Sequence, residues 1–100
     1  MRSEIKRLLL LGPLPSEGDA TVDHLRLIED ILKTVSKPVT NDEARALVSL
    51  FGSDGCFGVA WSFLHLIETA PDWPLLDCLV NLENEWITSL RDRAVRGGVL

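Results

Sequence analysis

Apolar residues recur three and four positions apart along most of this chain, the spacing of one face of an α-helix, and the strict alternation of a half-buried strand is rare. Gly, Pro and capping residues divide that pattern into five predicted helices. The first covers residues 3–11, with Ser3 as its cap, Ile5, Leu8 and Leu9 as its core face and Gly12-Pro13 as its stop. Positions 12–20, rich in Pro, Gly, Ser and acid, read as a loop. Thr21 then caps a helix to about Val35, where Val22, Leu25, Ile28, Leu32 and Val35 face inward while Arg26, Glu29, Asp30 and Lys33 take water.

Lys37-Pro38 interrupts the pattern, and Thr40-Asn41-Asp42-Glu43 has the spacing of a capping box, in which hydroxyl and carboxylate each accept an orphan backbone N–H. The third helix that follows places Ala44, Leu47, Val48 and Phe51 on one face and stops at Gly52-Ser53-Asp54-Gly55. A fourth, from about Cys56 to Ala70, is apolar around most of its circumference, Phe57 and Trp61 included, and is expected at the centre of the fold. Pro71 and Pro74 bracket a corner containing Trp73. A fifth helix is expected to start at Pro74, with Leu75, Leu79, Leu82, Trp86 and Leu90 as its stripe. The predicted fold is all-α: one compact helical domain over residues 1–100, frayed at 96–100, built as an irregular antiparallel bundle or a short HEAT-like array.

Hydrophobic residues make up 46 % of the chain against 25 % charged, which argues against general disorder. The apolar run Leu8–Leu11 is far shorter than the roughly 20 residues that cross a bilayer, and no signal-peptide pattern surrounds it. A cytoplasmic location, no membrane partner and reduced rather than bridged Cys56 and Cys78 are therefore expected.

Charge changes the picture more than composition does. The net charge is −5, yet each end carries three cations against one acid, so the acidity is concentrated between them. Positions 46–90 contain no Lys or Arg, while Asp54, Glu68, Asp72, Asp77, Glu83 and Glu85 all lie there. Such a field disfavours nucleic acid, whose phosphates need clustered positive charge. It suits a basic protein partner, with Asp72, Trp73, Asp77, Glu83 and Glu85 as the candidate contact residues. Trp73 has two readings, a ring that caps the core or an exposed aromatic anchor. Self-association as a homo-oligomer is the other assembly compatible with the sequence.

Catalytic signals are sparse. His65 and Glu68 share a helix face and form the one alternative polar site, and the ordinary role for them is a partly buried histidine hydrogen-bonded to Glu68 or to a backbone carbonyl. Cys56 and Cys78 lack zinc-ligand spacing, Asp54-Gly55 does not continue into a calcium loop, and Gly52, Gly55 and Gly58 do not form a phosphate-binding motif. No catalytic residue, no metal and no cofactor is expected, and a small metal-binding or catalytic domain comes third, after a protein-binding module and a structural or self-associating subunit. Three segments, Leu8 to Pro15, Phe57 to Trp61 and Leu64 to Pro74, resemble small uncharacterised helical proteins of actinobacteria, whose general style is similar to acidic immunity proteins that neutralise secreted toxins. The resemblance implies a non-catalytic binding module acting on a basic toxin or another basic partner.

Overall fold

Four of the five α-helices start where the chain supplies a side-chain acceptor for the first, unpaired N–H groups or where glycine lets the backbone turn. The computed structural model describes residues 1–98. Within them, α1 (Ser3–Leu11), α2 (Val22–Thr34), α3 (Asn41–Val48), α4 (Val59–Ile67) and α5 (Glu85–Arg96) are α-helical, short 3-10 turns form at Cys56–Gly58 and Leu76–Cys78, and no strand occurs among the described residues. The fold is all-α, as the periodicity predicts.

The caps of α2 and α3 follow the sequence. Thr21 accepts the N–H of His24 at 3.2 Å, and Thr40 with Glu43 forms the complete capping box. At α1 the cap position is Arg2 rather than Ser3, with no side-chain acceptor, and the helix ends at Gly12, whose φ of 81° and ψ of −175° lie where only glycine is unstrained. Asn84 begins α5 by accepting the N–H groups of Trp86 and Ile87.

Packing is irregular: α3 lies against α4, α1 touches both α2 and α3, and α5 docks on α4. Ile5, Leu8, Leu47, Phe63, Leu64, Ile67 and Leu90 are almost fully buried at the centre. The radius of gyration is 12.9 Å, close to the ~13 Å of a compact 100-residue globule.

Three predicted helices are shorter than their apolar patterns; the third ends at Val48, and Phe51 reaches the core from the turn that follows. The fifth starts at Glu85, not Pro74: Asp77 and Asn81 are poor helix formers, and the Asn84 side chain accepts the Trp86 and Ile87 N–H groups and so sets the start of the helix there. Leu75 and Leu79 still reach the core from this irregular path, whereas Leu82, expected in the stripe, is about half exposed. The fourth loses both ends. Cys56 and Phe57 have positive φ, and beyond Ile67 the backbone tightens as Thr69 and Ala70 donate to the carbonyls of Leu66 and Ile67. Phe57 and Trp61 consequently face outward instead of into the core, and Val22 on α2 is likewise exposed. The frayed end expected at 96–100 lies partly outside the described residues; within them α5 runs to Arg96.

Polar ties join segments that are distant in sequence. Glu43, 1 % exposed, accepts the Arg2 backbone N–H at 3.1 Å and its Nε at 2.9 Å, besides the Thr40 N–H at 2.9 Å. Arg2 also donates to the carbonyls of Ser36 and Pro38, so one side chain fastens α1 to both sides of the α2–α3 turn. Burial alone would push the Glu43 carboxyl up; the N–H groups of Thr40 and Arg2 and the Arg2 guanidinium outweigh it and hold it below its ordinary value.

Candidate functional site

The sequence-predicted contact residues lie on the segment that leaves Ala70 and returns to α5, and they occupy three different environments. Asp72 is fastened to α3: its N–H donates to Asn41 Oδ1 at 3.1 Å, and Asn41 Nδ2 donates to Asp72 Oδ2 at 2.6 Å. Asp77 accepts Arg45 Nε at 2.9 Å, and the same guanidinium reaches Asp42 at 3.0 Å. The hydrogen bond to Asp77 is the main reason that the Arg45 pKa is raised. Trp73 is half-buried, packed against the core, with its N–H donated to the Ala70 carbonyl at 3.1 Å. Glu83 and Glu85 are exposed and make no side-chain hydrogen bond among the described residues.

Three aliphatic residues of the same segment were not among the candidates. Leu76 is 50 % exposed, Val80 75 % and Leu82 49 %. Helical spacing assigns Leu82 to the core and so conceals them; the signal that could have found them is Asn81 and Asn84, turn and cap residues that break the stripe. The segment thus presents bare aliphatic side chains beside Asp77, Glu83 and Glu85, and Arg45, the cation that reaches it from α3, is held by Asp77 and Asp42.

The alternative polar site is not assembled as expected. Glu68 accepts two hydrogen bonds from Arg93, at 2.9 Å each, tying the end of α4 to α5. His65 Nδ1 stands 3.9 Å from Glu68, beyond a hydrogen bond, and its side chain is 56 % exposed with the ring lying on Trp61 at 6.2 Å. The partly buried, carboxylate-oriented histidine is therefore corrected to a surface side chain, because the fork of Arg93 matches the carboxylate better than one ring nitrogen does. Replacing His65 with Gln is expected to change folding stability by less than about 0.5 kcal/mol in a urea titration; a loss above about 1 kcal/mol would reveal a hidden partner.

Trp86 holds the other aromatic cluster. Its ring stacks on Phe51 at 6.0 Å and meets Trp61 edge-on at 5.1 Å, and its Nε1–H donates to the Asp54 carbonyl at 3.1 Å. Cys56 and Cys78 are free thiols. Burial, followed by the charges of Asp54 and Glu17, raises the Cys56 pKa; burial, followed by Asp77, raises that of Cys78. Among the described residues, no group of three or more His, Cys, Asp or Glu side chains is placed to hold a metal ion, and no helix is long and apolar enough to cross a membrane. Comparison with protein-family models, with curated proteins and with solved structures gave no match.

Proposed function

We propose that this protein is a non-catalytic binding module that takes a basic protein surface on the segment between Leu75 and Glu85. The observation that supports this reading is the exposure of Leu76, Val80 and Leu82 beside Asp77, Glu83 and Glu85, in a stretch without any Lys or Arg. Burial of these aliphatic side chains contributes affinity in proportion to the apolar area removed from water, and the acidic margin selects and steers a cationic partner. Trp73, half-buried against the core, serves as the support of the segment rather than its anchor. The resemblance to acidic immunity-like proteins adds a setting, in which the basic partner is a toxin to be neutralised.

A second copy of the chain fits this surface less well. A twofold contact would set this acidic margin against an identical acidic margin, with no Lys or Arg in the segment itself to answer it. The test is selection of a displayed peptide library on the immobilised protein. Enriched sequences are expected to combine Lys or Arg with apolar residues. Val80→Asp together with Leu82→Asp should then weaken binding by about 10- to 100-fold. Glu83→Gln with Glu85→Gln should weaken it several-fold at low salt, and less as the Debye length shortens to about 10 Å at 0.1 M. Selected peptides without cationic bias, or undiminished binding by the folded aliphatic variant, would remove the basis of the proposal.

A further inference from the structure

On another part of the surface, the second half of α2 and the start of α4 enclose an open groove of about 500 Å³, within the roughly 300–1,000 Å³ of small-molecule sites. Its floor is apolar, formed by Leu32, Val35, Val59 and Leu66. Its rim runs against the charge of the molecule: Lys33 and Lys37 line it with Glu29 as the only acid, in a chain of net charge −5. Neither lysine takes part in an ion pair among the described residues. Ser62 and His65 add polar groups along the α4 edge.

Phe57 lines the same groove and is held there at a cost. Cys56, Phe57 and Gly58 have successive φ values of 47°, 53° and 91°, and the left-handed region is unfavourable for the first two. The turn is fixed from several directions. Phe57 N–H donates to Glu17 Oε2 at 2.9 Å, Cys56 N–H donates to Asp54 Oδ1 at 3.0 Å, and the Cys56 side chain is completely buried. All this leaves Phe57 61 % exposed, so its side chain adds little to the core. A flat apolar ligand would cover it together with the aliphatic floor, and an anionic group on that ligand would meet the two lysines.

We infer that this groove binds a small aromatic carboxylate, its ring against Phe57 and the aliphatic floor and its carboxylate held by Lys33 and Lys37. None of the groove residues belongs to the Leu75–Glu85 segment, so the site stands independently of the proposed protein contact. The probe is 3-phenylpropionate, titrated into the ¹⁵N-labelled protein and followed by amide chemical shifts. Saturable shifts confined to residues 29–37 and 57–66 are expected, with the neutral amide of the same compound binding about fivefold or more weakly. Lys33→Gln with Lys37→Gln should weaken the carboxylate about fivefold while leaving the spectrum native-like, a loss of the size that exposed ion pairs supply. Phe57→Gly removes the ring and suits the positive φ, so it should bind several-fold more weakly while melting no lower than the parent. No saturation by about 10 mM, a millimolar ceiling for even weak binding, would overturn the inference. So would shifts elsewhere, equal affinity for acid and amide, or unchanged binding by the Phe57→Gly variant. Tighter binding of decanoate than of 3-phenylpropionate would overturn the aromatic assignment in favour of an alkyl chain.

Discussion

Replacing Glu43 with alanine is expected to lower folding stability by about 2–4 kcal/mol, the sum of a lost helix cap and lost charge-assisted hydrogen bonds in a buried setting. Three donors depend on this carboxylate: the backbone N–H groups of Arg2 and Thr40, and Arg2 Nε. Glu43→Gln retains an acceptor but not the charge, and should lose about half as much. The acid limb of the stability curve gives a second readout. Because the folded-state pKa is depressed, the unfolded chain takes up a proton first as pH falls. The contribution is therefore complete above the ordinary value of 4.5 and is lost as the pH drops through the lower folded-state value. Urea titrations from neutral to acid pH should show the parent losing more stability than the Gln variant. A loss below about 0.5 kcal/mol for Glu43→Ala at neutral pH would mean that the buried pair only balances its own desolvation.

Gly52→Ala is expected to cost about 3 kcal/mol, at the upper end of overpacking in a close-packed region. A Cβ at position 52 would collide with the Leu14 carbonyl oxygen and stand 3.2 Å from its carbon, so backbone would have to move. That movement is opposed on two sides. Leu14 N–H donates to the Leu50 carbonyl at 2.9 Å, and the Gly52 carbonyl accepts from Asn84 Nδ2 at 3.2 Å, the same side chain that starts α5. Gly55→Ala is the matched control. Its new Cβ meets only Trp86 at an ordinary 3.5 Å, and a change within about 0.5 kcal/mol is expected. Similar thermal shifts for the two variants would show that close approach to Leu14 is not what position 52 requires.

Gly52 also illustrates how far the sequence could be read. As one of a Gly-Ser-Asp-Gly group it announces the end of a helix, although α3 itself stops earlier, at Val48, and Leu50 and Phe51 follow in a tighter turn. Its contact with Leu14, 38 positions away by number, leaves no local trace. The capping box and the Thr21 cap were legible for the opposite reason, since donor and acceptor sit within one turn. The start of α5 was obscured because Leu75 and Leu79 satisfy helical spacing while reaching the core from an irregular path. Acidity was legible as a total, but not its distribution between tied and free groups. Asp72 and Asp77 depend on Asn41 and Arg45, which sequence spacing cannot bring beside them, and Glu83 and Glu85 have no side-chain partner among the described residues. The groove was hidden in the same way, being formed only when α2 meets α4.

The long-range polar ties also bear on time. The helices dock largely on neighbours, which favours rapid assembly, whereas Arg2–Glu43, Asn41–Asp72, Arg45–Asp77 and Glu68–Arg93 join positions 41, 31, 32 and 25 residues apart. Bonds of this kind close once the helices are already in place, and they must break before the helices can separate. They therefore act as a brake on unfolding without hastening folding. A chain of this size with only ordinary equilibrium stability can in this way keep a long native lifetime, its resistance to forced or irreversible unfolding depending on a handful of long-range polar fastenings as well as on the depth of its core.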